Sequence, residues 1–149
     1  MGGNFSPSET EEFMNKVALG TVQFGLDYGI ANKAGQVALD EAQHVLALAK
    51  ANEIDVLDTA IAYGTSEAVL GKVGVDGFRV VTKLPLLPAD QSDIARWVKD
   101  QVGASLKRLG QKKLYGLLLH QSEDLLGSKG GQLIQVLADL KNDGLVKKI

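Results

Sequence analysis

Four polar side chains in this sequence have the types and spacing expected of a proton-transfer site. Asp58 and His120 each follow directly after a run of apolar residues that is typical of a buried strand, and Lys83 ends the similar run Val80-Val81-Thr82. Tyr63 lies five residues after Asp58, next to Gly64. Catalytic groups in parallel α/β sheets gather at the carboxyl ends of the strands. We therefore expect the four side chains to share one end of a sheet.

Such a set suits the transfer of a proton to a carbonyl oxygen. An ammonium group beside a phenol favours loss of the phenolic proton, and a carboxylate keeps that ammonium charged and in place. With Lys83 and Asp58 in these roles, Tyr63 can act as the general acid. His120 can donate a hydrogen bond to the substrate oxygen and polarise it.

The same residues also have structural explanations. Polar side chains often end a strand simply because water begins there, and an ion pair between Asp58 and Lys83 need not be catalytic. We expect His44 to be an ordinary surface or boundary residue and Trp97 to be part of the core. The glycine-rich loop between Gly20 and Gly35 matches neither phosphate-binding signature.

The elements that would position these residues alternate along the chain. Short apolar runs predict strands at 17–19, 54–58, 78–83 and 114–120, with a fifth strand that barely begins at 146–149. Apolar residues at three-four spacing predict helices at 40–51, at 90–109, and after the loop at 127–131. A further short helix is predicted to end near 71–74, with Thr65 and Ser66 as its caps. Near-continuous apolar strands are covered on both faces of a parallel sheet. This pattern predicts an α/β fold with a four-stranded parallel sheet, and leaves open whether the sheet is doubly wound or part of a barrel.

Composition narrows the class of protein. The chain has 149 residues, 45% of them hydrophobic, and a formal net charge of -2, which indicates one globular domain and argues against a disordered chain. We expect residues 1–15 to be a polar lead-in and 16–149 to be the domain. The near-neutral charge argues against a nucleic-acid partner, and the lack of a long apolar run argues against a membrane partner. With no cysteine and two histidines, no metal site is expected, and a cytoplasmic location is favoured.

The segment from Leu57 to Glu67 resembles the signature of the aldo-keto reductases. Further matching motifs occur at the ends of three strands: Leu19-Gly20-Thr21, Thr82-Lys83 and Leu119-His120. Order and spacing agree from Val17 onward, and 20–30 is similar to a bacterial branch of the family.

The resemblance implies an NADPH-dependent reductase of aldehydes and ketones on a (β/α)8 barrel. It assigns a catalytic tetrad, with Tyr63 as the proton donor, to Asp58, Tyr63, Lys83 and His120. It also places three residues near the nicotinamide end of the cofactor: Gly20, Thr21 and Asp58.

A complete barrel of this kind needs about 250 residues, so we expect half of a (β/α)8 barrel, made of four β-α units. We therefore do not expect residues 16–149 to supply the contacts that the family makes from its later strands to the nicotinamide amide and the adenosine phosphates. Half a barrel has open strand edges, which predicts a homodimer in which strand four of one copy pairs with strand one of the other. Two alternatives remain open: a non-catalytic dimeric half-barrel module, and a fragment that acts on a small carbonyl substrate only when a C-terminal half is added.

Overall fold

The computed structural model describes residues 17–149, in which parallel strands alternate with α-helices. The strands are β1 (Ala18–Gly20), β2 (Val56–Asp58), β3 (Arg79–Leu84), β4 (Leu114–Leu119) and β5 (Val146–Lys148). The helices are α1 (Leu39–Ala51), α2 (Ser66–Val73), α3 (Ile94–Leu109) and α4 (Gly130–Asn142). The lead-in predicted for 1–15 lies outside the described residues. Among the described residues, no helix is long and apolar enough to span a membrane.

The sheet follows the order of the chain. Its strand order is β1-β2-β3-β4-β5, and every neighbouring pair is parallel. A doubly wound sheet reverses its strand order at a switch point, whereas a (β/α)8 barrel adds strands in sequence. The order therefore selects the barrel alternative, and the prediction of a partial barrel is confirmed.

The sheet has five strands rather than four. Val146 pairs with Leu114 and Lys148 pairs with Gly116, so β5 already covers the amino-terminal half of β4. The sequence predicted only the beginning of a fifth strand. The pattern of β5 is weak because the strand has three residues, two of them lysines, and only Val146 is buried. The open edge on this side consequently belongs to β5 and to the carboxyl half of β4.

Successive side chains of each strand point to opposite faces of the sheet, of which one is covered by the helices and the other is more open. Leu57, Val80 and Leu84 point towards the helices and are fully or almost fully buried. Val56 and Val81 lie on the other face and are only half-buried, as expected for the inner face of an incomplete barrel. Asp58 and Lys83 also lie on this inner face, at the carboxyl ends of β2 and β3.

The third helix illustrates how the core is closed. Its apolar stripe includes Val98 and Val102, which are buried against the sheet, and Trp97 packs against the core while remaining partly exposed. The helix begins later than the predicted residue 90, because the Asp93 carboxylate accepts a hydrogen bond from the Arg96 amide at 3.0 Å and caps the first turn. It ends at Leu109, and the next residue, Gly110, adopts the left-handed conformation that favours glycine.

Candidate active site

The site begins with an ion pair between the ends of two neighbouring strands. The register of β2 and β3 pairs Asp58 with Val81. Lys83 lies two residues after Val81 and therefore on the same face of the sheet. The Lys83 ammonium donates to Oδ1 of Asp58 at 2.5 Å and to the carbonyl oxygen of Thr59 at 2.9 Å. The lysine side chain is 17% exposed, and that of Asp58 is 40% exposed. The two acceptors hold the charged end of Lys83 in one position.

Tyr63 lies directly beside this ammonium. Nζ of Lys83 is 5.1 Å from the centroid of the Tyr63 ring, within the range of a cation–π contact. The tyrosine belongs to a tight turn, in which its amide donates to the carbonyl of Ala60 and its carbonyl accepts from the amide of Ser66, both at 3.0 Å. The turn folds Tyr63 back over the end of β2.

His120 completes the group from the end of β4. Its amide donates to the carbonyl of Leu84 at 2.9 Å, which fixes the backbone next to β3. Its ring meets the Tyr63 ring edge-on, with centroids 5.8 Å apart and planes at 85°. The structure therefore brings the four predicted side chains together, while their catalytic roles stay predictions. His44, in contrast, is on the surface of α1, as expected.

The three predicted cofactor residues occupy different environments. Gly20 pairs with Asp58, is exposed, and has open space where a side chain would begin, so a flat ring can approach the backbone there. Thr21 is fully buried, and both its amide and its Oγ1 donate to the carbonyl of Asp58, at 3.0 and 3.1 Å. Gly20 and the Asp58 side chain are accessible to a cofactor ring, whereas Thr21 is buried and its amide and hydroxyl are already bonded to Asp58. Cofactor contact by Gly20, Thr21 and Asp58 stays a prediction. Within residues 17–149, no three His, Cys, Asp or Glu side chains converge as metal ligands.

Ser66 is a positioning residue that the sequence analysis missed. Thr65 and Ser66 were expected to cap α2, but no side-chain cap forms there, and Oγ1 of Thr65 instead accepts from Gln36. Oγ of Ser66 points inward, donates to the carbonyl of Thr21 at 2.8 Å, and lies 3.1 Å from Oγ1 of Thr59. This buried set of hydroxyl groups connects the ends of β1 and β2 to the turn that carries Tyr63.

Two glycines allow that turn to pack closely. A Cβ atom at Gly25 would lie 1.8 Å from the carbonyl oxygen of Tyr63 and 2.3 Å from the amide of Ser66, so only glycine fits. Gly64 has a φ of 54°, and a Cβ there would lie 2.4 Å from the carbonyl oxygen of Gly25. The loop after β1 thus supports the Tyr63 turn from outside. The sequence shows that this loop is rich in glycine, but the contact between the loop and the Tyr63 turn is evident only from the structure.

A buried carboxylate fixes the neighbouring strand. Glu67 is 2% exposed, and its Oε1 accepts hydrogen bonds from Thr82 and Ser105, each at 2.7 Å. Its Oε2 accepts from Nε of Arg108 at 2.8 Å. Because Thr82 precedes Lys83, this network ties α2 and α3 to the part of β3 that presents the lysine.

Comparisons with known proteins agree with this geometry. A model of the aldo/keto reductase family matches residues 16–149. Two Pseudomonas aeruginosa structures, each described as a candidate aldo-keto reductase, are 31% and 32% identical to this chain, with TM-scores of 0.72 and 0.70. Each comparison covers 87% of this chain, and 52% or 51% of the other.

A holo-form aldo-keto reductase from Bacillus halodurans is 19% identical with a TM-score of 0.67, covering 89% of this chain and 44% of that one, and it supports the fold alone. A search of curated proteins finds no match. This chain spans about half the length of the solved relatives. Because the family model covers nearly all of its residues, the chain belongs to the aldo-keto reductase family.

Proposed function

We propose that this chain carries the catalytic half of an NADPH-dependent reductase of aldehydes or ketones. The single observation that carries the proposal is the position of the Lys83 ammonium, which contacts both the Asp58 carboxylate and the Tyr63 ring. NADPH, when bound, supplies the hydride, and the protein supplies orientation and the proton. Gly20 and Asp58 would hold the nicotinamide end.

The proton comes from the hydroxyl group of Tyr63 and goes to the carbonyl oxygen of the substrate. The O–H bond of Tyr63 breaks as its proton forms a bond to that oxygen, and the phenolate that remains is stabilised by the Lys83 ammonium. Asp58 and the Thr59 carbonyl hold Lys83 in this position throughout. The network therefore favours the charged product of the proton transfer.

His120 would orient the substrate. It is exposed at the same end of the sheet, and its ring packs against the edge of Tyr63, so a carbonyl oxygen near the tyrosine hydroxyl also lies near the imidazole. A hydrogen bond from the imidazole to that oxygen polarises the carbonyl group. The substrate class is a small aldehyde or ketone.

A second candidate function follows from the length of the relatives. This chain spans 52% of the Pseudomonas protein and 44% of the Bacillus protein. The chain would then be a module that acts only when a C-terminal half-barrel is added. The tetrad in such a module would be intact but would not bind NADPH by itself.

Calorimetric titration with NADPH, followed by a carbonyl-reduction assay, tests the proposal. Saturable NADPH binding supports the proposal, and Tyr63→Phe should then lose at least about 100-fold in kcat with NADPH binding retained. Tyr115→Phe is the matched control, because Tyr115 lies near the amino end of β4, away from His120. Reduction that survives unchanged in Tyr63→Phe contradicts the assigned proton donor. Binding that appears only after the C-terminal half of the Pseudomonas relative is added supports the second candidate.

A further inference from the structure

The loop after β1 meets the turn that carries Tyr63 backbone against backbone. The two segments touch at Gly25 and Gly64, where neither residue leaves room for a side chain between them. Across this contact the amide of Thr65 donates to the carbonyl of Gly25 at 3.4 Å, which is long for a backbone hydrogen bond and therefore weak. The position of the turn consequently depends on further polar contacts with the loop.

Gln36 supplies a side-chain bridge across this contact. Its Nε2 donates to the carbonyl of Phe24 at 2.8 Å and to Oγ1 of Thr65 at 2.9 Å. Phe24 is a buried residue of the loop, whereas Thr65 lies two residues after Tyr63 in the turn. A side-chain amide has two N–H groups, and in Gln36 one of them bonds to the loop and the other to the turn.

The backbone of Gln36 is itself held on both sides. Before it, the Asn32 side chain accepts from the amide of Gly35 at 3.2 Å and donates to the carbonyl of Gly35 at 2.9 Å. After it, the amide of Val37 donates to the carbonyl of Gln23 at 2.9 Å. A side chain that starts from a fixed backbone can hold its hydrogen-bond partner in one place.

We propose that Gln36 is a positioning residue for Tyr63. The turn is then held from two sides, because Ser66 bonds to Thr21 in the buried network and Gln36 bonds to Thr65 at the surface. Gln36 acts through the turn and not by contact with a substrate. The catalytic meaning of this role rests on the proposed function, whereas the effect of Gln36 on the position of the Tyr63 ring does not.

Loss of the Gln36 bridge should let the Tyr63 ring move relative to its two neighbours. The Lys83 ammonium lies 5.1 Å from the centroid of this ring, and the His120 ring centroid lies 5.8 Å from it. A reacting group that is displaced by about 1 Å can lose roughly 100-fold in rate. Because Gln36 is exposed, its replacement should affect the position of the turn more than the stability of the fold.

Proton NMR of the histidine rings tests the position of Tyr63 without any enzymatic activity. The chain has two histidines, and only His120 lies against the Tyr63 ring, so its resonances carry the ring-current shift of that tyrosine. Gln36→Met removes the donors at similar size and should shift the His120 resonances while those of His44, on the surface of α1, stay unchanged. Gln135→Met is the matched control, because Gln135 is an exposed glutamine that bonds within α4, and it should shift neither histidine.

Thr65 provides a second test of the same bridge, which also serves if Gln36→Met does not fold. Thr65→Val removes the acceptor hydroxyl at similar shape and should reproduce the His120 shift, whereas Thr65→Ser keeps the hydroxyl and should leave the resonances in place. The two losses combined should add little to either alone, because each breaks the same bridge. An unchanged His120 signal in folded Gln36→Met overturns the proposal, as does a shift that Thr65→Val fails to reproduce.

A rate measurement separates this proposal from the proposed reductase function. If the chain reduces carbonyl compounds, alone or with an added C-terminal half, Gln36→Met should lower kcat at least about tenfold with KM for NADPH unchanged. An unchanged kcat in that active enzyme overturns the positioning role. If no carbonyl compound is reduced, the proposed function fails, and the His120 shift alone decides whether Gln36 positions Tyr63.

Discussion

Oγ of Ser66 donates a hydrogen bond to the carbonyl oxygen of Thr21 at 2.8 Å, which joins the first residue of α2 to the residue that follows β1. Thr21 in turn donates from its amide and its Oγ1 to the carbonyl of Asp58. The backbone of Asp58 and the turn that carries Tyr63 are therefore held by one buried network. The geometry between the carboxylate and the tyrosine depends on hydroxyl groups that do not themselves face the substrate.

Replacing Ser66 with alanine should destabilise the chain by roughly 1–3 kcal/mol, because the carbonyl of Thr21 and the hydroxyl of Thr59 would lose buried partners. Denaturant unfolding measures this change in the free energy of unfolding. Ser128→Ala is the matched control, since Ser128 is exposed, and its effect should stay within about 0.5 kcal/mol. Equal effects of the two substitutions would contradict the role assigned to Ser66.

The convergence of the tetrad could be predicted from the sequence because it follows from general geometry. Asp58, Lys83 and His120 each follow an apolar strand, and the carboxyl ends of parallel strands meet at one end of a sheet. Chain order then places β2, β3 and β4 side by side without further information. The position of Tyr63 required only a short turn after β2.

What could not be predicted depends on partners that are distant in the sequence. Ser66 begins an apolar helix, so local rules assign it to a cap, but its acceptor Thr21 lies 45 residues earlier. The same holds for β5, of which the sequence predicted only the beginning. Its pairing with the distant strand β4 cannot be inferred from three residues that include two lysines. Only the folded chain shows these contacts.

Replacing Gly25 with alanine should cost at least about 3 kcal/mol, because the new Cβ would overlap the carbonyl of Tyr63 at 1.8 Å and a backbone atom cannot move aside easily. Gly103→Ala provides the contrast. Gly103 is exposed within α3 and has open space at the Cβ position, so the alanine should stabilise the chain by about 0.5–1 kcal/mol. Thermal unfolding of both variants should shift in opposite directions; a shift in the same direction would argue against close packing of Gly25 on the Tyr63 turn.

Replacing Glu67 with glutamine should destabilise the chain by roughly 1.5–3 kcal/mol, because the substitution removes the charge that pairs with Arg108 in a buried site. Asp100→Asn removes one partner of the exposed pair between Arg96 and Asp100, and should cost no more than about 0.5 kcal/mol. Urea unfolding of the two variants measures the difference. If Glu67→Gln is as mild as Asp100→Asn, the buried network does not fix β3 as described.

Tyr115 should titrate below its ordinary value of 10.0. The Lys148 ammonium, which lies 5.0 Å from the ring centroid, and then the Arg79 guanidinium lower the pKa of the Tyr115 phenol by stabilising the phenolate. The native chain therefore releases this proton before the unfolded chain does. Stability should rise as pH increases from the native pKa of Tyr115 to about 10.0, and Tyr115→Phe should lack this increase.

Ultraviolet absorbance of tyrosinate, taken as the difference between each protein and its Tyr115→Phe version, measures that midpoint. Lys148→Gln should move the midpoint of Tyr115 upward, towards 10.0. Lys147→Gln is the matched control, because Nζ of Lys147 is 5.6 Å from the same ring centroid, farther than that of Lys148, so its loss should move the midpoint less. A midpoint that responds equally to both substitutions would show that general positive charge on β5, rather than the contact with Lys148, lowers the pKa of Tyr115.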